Sequence, residues 1–307
     1  MVHMCLGTVQ FGMNYGINNQ IGRQPTWEES FGIFDYALEN GIDIIDTARA
    51  YGEAELIIGE YLKRNPKYKN SIKIVSKLKP NCINGSDIAG TVERELLDTL
   101  KHIDIDFLNG YLLHTPEYIL NKDIVNAMYK MKKKGLVKNI GVSVYDMLHG
   151  FAAIDTNIID YIQLPYSIFD QRGDIEGFFY KAKKAGIKIF TRSAFLQGLF
   201  MFKEDKIPNK VIKSKPYLSK FNKLLMEYRI DKIDALLGFV KRNNYIDYLV
   251  FGVEKIEQLK EDMHRFESID IPEDFYKEAE REFGKIEKSI IIPSLWSDGQ
   301  KAGQDRL

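Results

Sequence analysis

The sequence predicts an α/β fold: a (β/α)8 TIM barrel forming a single domain, with an extra C-terminal helix and a polar tail. Three observations predict it. Short apolar runs alternate with helical patterns along the whole chain, eight strand-then-helix units in about 265 residues, which is the size and rhythm of an eightfold barrel. Several of the strands are β-branched and nearly continuous in apolar residues, as suits parallel strands covered on both faces. No Gly-rich dinucleotide fingerprint follows any strand, which counts against the alternative, a doubly wound open sheet.

The candidate strands are 4–8, 42–46, 72–77, 107–114, 140–143, 161–164, 187–192 and 248–252. Between them, Thr26 caps a helix over 27–39 that stops before Gly41. Helical patterns follow over 53–64, 86–100 and 122–134, the last closed by Gly135. Others cover 145–153, 175–185 (closed by Gly186), a region within 215–241, and 255–265. An extra helix is expected over 272–287. The barrel domain is expected to span 1–290 and a C-terminal tail 291–307, polar and loose from Ser294 onward.

Composition narrows the function classes. At 45% apolar residues, a chain of 307 can bury a large core. Lys plus Arg and Asp plus Glu balance at 43 each, so charge gives no reason to expect nucleic acid or a membrane surface as partner. Cys5 and Cys82 fit neither a zinc site nor a redox pair and read as buried thiols in a reducing compartment; no metal is expected. The first residues lack the pattern of a signal peptide, and no apolar run reaches the length of a membrane span, so a cytoplasmic protein is expected.

In a barrel, side chains at the C-terminal strand ends point into the active-site mouth. Polar residues close six of the apolar runs: Asp46, Lys77, His114, Ser143, Gln163 and the pair Arg192–Ser193. Reducing a carbonyl with hydride requires a proton for the developing alkoxide. A tyrosine can supply it if an ammonium brings its pKa down from near 10, a carboxylate holds the ammonium, and a histidine orients the carbonyl. Asp, Tyr, Lys and His are the types this chemistry needs.

The segment Asp46-Thr47-Ala48-Arg49-Ala50-Tyr51-Gly52 resembles the DTAxxYG signature of the aldo-keto reductase family. Three further matches follow in order: Val75-Ser76-Lys77, Tyr111-Leu112-Leu113-His114, and Gly141-Val142-Ser143. The likeness runs from about residue 4 to 265. It implies a nicotinamide-dependent reductase of small-molecule carbonyls, with Tyr51 as proton donor, Lys77 lowering its pKa, Asp46 fixing Lys77, and His114 orienting the substrate. It also implies cofactor contacts. Gly7 and Thr8, at the end of the first strand, would line the nicotinamide pocket, and Ser143 and Gln163 would hold the carboxamide. Arg192 would lie on the ring. Ser193, Phe195, Gln197 and Gly198 would cover the pyrophosphate, and Gly252, Lys255, Gln258 and Asp262 would grip the adenosine end. Taken singly, Asp46 reads as a helix cap, Lys77 as a surface lysine and His114 as a core residue; the order of the motifs reverses those readings.

Three positions depart from the family pattern. Val144 replaces the GxSN asparagine, and Arg192 replaces an aromatic that stacks on the nicotinamide. Gln258 and Asp262 occupy positions often held by Arg and Asn. NADP(H) is the family default and NAD(H) the alternative, with Lys255 a candidate partner for a 2′-phosphate. Seven lysines between Lys203 and Lys223 suggest either a solvated face or a phosphorylated or nucleotide-linked sugar as substrate. The rival readings are an NADP-binding regulatory barrel with little turnover, and a lyase or isomerase barrel using Lys77.

Overall fold

The computed structural model describes residues 1–19 and 21–296. Eight parallel strands close into a barrel. They are β1 (His3–Gly7), β2 (Ile44–Asp46), β3 (Lys73–Leu78), β4 (Leu108–Leu113), β5 (Val137–Ser143), β6 (Tyr161–Pro165), β7 (Lys188–Arg192) and β8 (Tyr248–Gly252). Closure comes from β1 pairing with β8, His3 opposite Tyr248 and Gly7 opposite Gly252.

The first helix is a single turn, α1 (Val9–Gly12), followed by α2 (Trp27–Glu39), α3 (Ala54–Arg64), α4 (Ile88–Ile103), α5 (Lys122–Lys133) and α6 (Met147–Asp155). Then come α7 (Arg172–Ile175), α8 (Phe178–Lys184), α9 (Lys215–Tyr228), α10 (Lys232–Lys241) and α11 (Ile256–Ser268). Two terminal helices follow, α12 (Glu273–Phe283) and α13 (Lys288–Ile291). Thr26 caps α2 as expected. Its hydroxyl accepts from the Glu29 amide at 3.2 Å, and its own amide donates to the Glu29 carboxylate at 2.7 Å.

Strand side chains alternate between the two faces, so every second residue points into the barrel. One buried cluster takes a residue from each of seven strands: Cys5, Ile44, Val75, Leu112, Tyr161, Phe190 and Val250. On β5 the equivalent position is Gly141, where a Cβ would strike Leu112 and Tyr161. Two residues further along each strand, the next inward positions are Gly7, Asp46, Lys77, His114, Ser143, Gln163, Arg192 and Gly252. The apolar layer is therefore the floor on which the polar residues stand.

The barrel closes with the aromatics of that layer and with Tyr248 packed beneath them. Tyr248 stacks on Phe190 at 4.4 Å, Tyr161 lies 5.0 Å from Phe190, and the Tyr161 hydroxyl donates to Asn109. The terminal helix α12 does not cover this end. It packs beyond β6, where Phe283 lies 5.2 Å from Phe169 and Gln171 donates to the Ala279 carbonyl. Ile291 and Ile292, at the start of the tail, are buried, and the Trp296 indole donates to the Ile290 carbonyl. The rest of the expected tail, 297–307, lies outside the described residues. Cys5 is buried, whereas Cys82 is only partly so.

Candidate active site

Asp46 and Lys77 end adjacent strands and meet inside the barrel mouth. The Lys77 ammonium donates to both Asp46 carboxylate oxygens at 2.8 Å and to the Thr47 carbonyl at 2.9 Å. It also reaches the Tyr51 hydroxyl at 3.2 Å. Lys77 is 0% exposed and Asp46 2%. A buried ammonium requires such a full set of acceptors. The Tyr51 ring stands edge-on to the His114 imidazole, centroids 5.9 Å apart. The four residues expected to converge therefore do so, from three strands and one loop.

That loop is fixed by close packing. Gly52 has φ of +54°, and a Cβ on it would stand 2.1 Å from the Gly12 carbonyl oxygen. Thr8 holds the root of Asp46 from β1: its amide and its hydroxyl both donate to the Asp46 carbonyl, at 3.0 and 3.1 Å.

The electrostatics correct one expectation. Lys77 was to draw the Tyr51 pKa down; instead, loss of water around the phenol, with the Asp46 carboxylate nearby, holds it well above its ordinary value. Lys77, 3.2 Å from the hydroxyl, does not overcome that loss of water. Tyr51 is thus held protonated, the state a proton donor needs. Burial pulls the Lys77 ammonium below its usual range, opposed by Asp46. Burial, with the charges of Lys77 and Arg192, depresses His114 to about 3, so the imidazole is neutral near pH 7. Its buried Nδ1 has no hydrogen-bond partner among the described residues.

A cleft of about 310 Å³ opens beside Tyr51. Of the expected cofactor residues, Gly7, Thr8, Arg192, Ser193, Phe195, Gln197, Gly198, Gly252, Gln258 and Asp262 line it. Ser143, Gln163 and Lys255 do not. The Gln163 amide donates to Asp46 at 2.7 Å, and the Ser143 hydroxyl donates to the Gln163 amide oxygen at 3.4 Å. Both are buried and bound to the tetrad side of the site, where they steady Asp46. The Lys255 side chain is exposed to solvent. Arg192 lines the cleft with its guanidinium over the Tyr145 ring at 4.2 Å. The stacking expected of it is thus already directed at a neighbouring aromatic.

The loop after β7 has left-handed backbone at Ser193, Leu196 and Gln197, with φ of 68°, 47° and 53°. Such residues cost about 1–3 kcal/mol each and need outside support. The loop after β1 supplies it: the Ile17 amide donates to the Gln197 carbonyl at 3.1 Å, and the Gln197 amide donates to the Tyr15 hydroxyl at 2.9 Å. Burial beside Tyr51 pushes the Tyr15 phenol up to about 12. Tyr15 escaped the sequence reading because it sits in an irregular loop with no periodic signal, and Tyr145 because it read as the start of the helix over 145–153, which begins only at Met147. None of the seven lysines from Lys203 to Lys223 lines the cleft, and Lys220 is paired with Glu282.

The cleft suits a nucleotide. The strand tops beneath it are Gly7 and Gly252, where a Cβ at Gly252 would run into the Gln10 side chain. The buried Gln10 amide oxygen, also on the cleft wall, lacks a partner among the described residues.

Comparison with known proteins agrees with this geometry. The profile of the Aldo/keto reductase family matches residues 3–281, and the chain belongs to that family. It is 31% identical over 155 residues to the Escherichia coli methylglyoxal reductase DkgA, covering 48% of this chain and about half, 54%, of that relative. It is 23% identical over 295 residues to the Escherichia coli NADH-specific methylglyoxal reductase, covering 85% of this chain and 88% of the relative. Among solved structures it resembles the thermostable aldo-keto reductase Tm1743 in complex with the inhibitor epalrestat, with a TM-score of 0.69 and 23% identity. That match covers 91% of this chain and 94% of the other, a likeness of fold. Among the described residues no helix is long and apolar enough to cross a membrane.

Proposed function

We propose that the protein reduces an aldehyde or ketone to the alcohol with NAD(P)H, using Tyr51 as the proton donor. The observation that carries this reading is the contact of one buried ammonium with both the Asp46 carboxylate and the Tyr51 hydroxyl. A dinucleotide held along the cleft by residues such as Thr8, Arg192 and Gln197 would supply the hydride. Tyr51 gives its proton to the carbonyl oxygen as negative charge builds there. Lys77 then stabilises the phenolate at 3.2 Å, a contact that strengthens only as charge develops and so favours the transition state over the bound substrate. Asp46 keeps Lys77 in place, and Gln163 keeps Asp46 in place. His114, neutral, offers an N–H to the same carbonyl oxygen.

The same contacts weigh against a Schiff base on Lys77, which would have to leave three acceptors at zero exposure. They also weigh against a sensor barrel with little turnover, which needs no proton donor. A phosphorylated or nucleotide-linked sugar draws no support from the lysines after β7, which stand outside the cleft. Two relatives are named for methylglyoxal, which makes small 2-oxoaldehydes the first substrates to try. The experiment is a steady-state assay of NADH and NADPH oxidation across a carbonyl panel, with Tyr51→Phe as the blank. Turnover in the wild type that the substitution removes supports the reading; equal turnover in both ends it.

A further inference from the structure

The cleft has two unlike ends. Near Tyr51 it is lined by Arg192; at the other end stand Glu254, Gln258, Glu261 and Asp262. Arg192 is the one Lys or Arg among the described cleft-lining residues. On the reductase reading, on which this inference rests, hydride and proton go to the two atoms of one carbonyl bond. The nicotinamide therefore lies beside Tyr51, and the adenosine half extends toward the acidic end.

Asp262 is the notable residue there. It is 8% exposed, lies on the cleft wall, and receives no hydrogen bond from any described residue. Its carboxyl group opens on the cleft, where a hydroxyl supplied by a ligand would satisfy it. The neighbouring groups do not supply a cation. The nearest guanidinium, Arg265, is shared among Asp231, Asp234 and Glu261 at 3.0–3.1 Å. Gln258 is turned back, its amide oxygen accepting from the Glu254 and Lys255 amides at 2.7 and 3.3 Å. Lys255 points to solvent, outside the cleft.

We propose that Asp262, flanked by Glu254 and Glu261, selects the dinucleotide whose adenosine ribose carries a free 2′-hydroxyl, NADH, over its 2′-phosphorylated counterpart. A ribose hydroxyl donates to a carboxylate, whereas a phosphate brings more negative charge to a cleft end with no Lys or Arg among its described lining residues. Discrimination of this kind is built from the repulsive contact as much as from the attractive one. The local charge thus argues against NADPH, the cofactor the family resemblance makes the default.

The test is equilibrium binding of NADH and of NADPH to the full chain at pH 8, followed by protein fluorescence. The wild type is compared with Asp262→Asn and with Glu261→Lys, an exposed position whose change leaves the core alone. The expected result is NADH tighter than NADPH by roughly tenfold or more in the wild type, with the ratio falling by roughly tenfold in each variant through tighter NADPH binding. NADPH binding as tightly as NADH in the wild type, or a ratio unmoved in both variants, overturns the inference and leaves the reductase reading standing. If neither dinucleotide binds, the reductase reading itself falls.

Discussion

Gly12 lies against the backbone of Tyr51 so closely that a Cβ on it would stand 1.6 Å from the Tyr51 carbonyl oxygen. The single-turn helix after β1 and the loop after β2 are thereby locked together, and the Glu53 amide adds a hydrogen bond to the Gly12 carbonyl at 3.3 Å.

Gly12→Ala must push the two segments apart. The prediction is a fall in kcat of about 10²-fold, because displacing a reacting group by about 1 Å costs that much. The circular dichroism spectrum stays that of the wild type. A Gly12→Ala protein with normal turnover would show that the loop is not positioned this way.

The Asp46–Lys77 pair is buried, so either half left alone is an uncompensated charge. Asp46→Asn and Lys77→Met are each expected to lose about 3–5 kcal/mol of stability. The double variant should lose clearly less than their sum, with reductase activity absent from all three. Urea denaturation of the four proteins measures the coupling; additive losses would mean that the pair is not buried as described.

The outline of this site was readable in the residues, but its supports were not. Asp46, Lys77, His114 and Arg192 each end an apolar run, so alternation along the strands places them in one layer once a barrel is assumed. The contact of Gln163 with Asp46 spans 117 positions and exists only because the barrel closes. Arg192 was readable as a departure from the family pattern, but its neighbour Tyr145 was not, since loop conformation decides that stack. The helices show the same divide. The pattern over 215–241 reads as one region, yet Arg229 takes φ of +56° and Asp231 caps a new helix, so the chain makes two. Likewise, the helix expected over 175–185 breaks at Gly177, whose φ is +65°. Apolar periodicity continues across both breaks, and so does not reveal them.

His114 gives stability a pH signature. Its folded pKa of about 3 lies below the ordinary 6.5, so between those values the unfolded chain binds the extra proton. This contribution is fully present above about pH 6.5 and is lost as pH falls toward 3. Denaturation midpoints measured across that window should decline less steeply for His114→Phe than for the wild type. Equal slopes would mean that the imidazole is not buried in its neutral form.

The account as a whole turns on the Tyr51 hydroxyl. The direct measurement is a single-turnover experiment on enzyme preloaded with reduced dinucleotide and mixed with an aldehyde that the wild type turns over. Tyr51→Phe should slow cofactor oxidation by about 10²–10⁴-fold while leaving dinucleotide affinity within about twofold. An undiminished rate in Tyr51→Phe would contradict it.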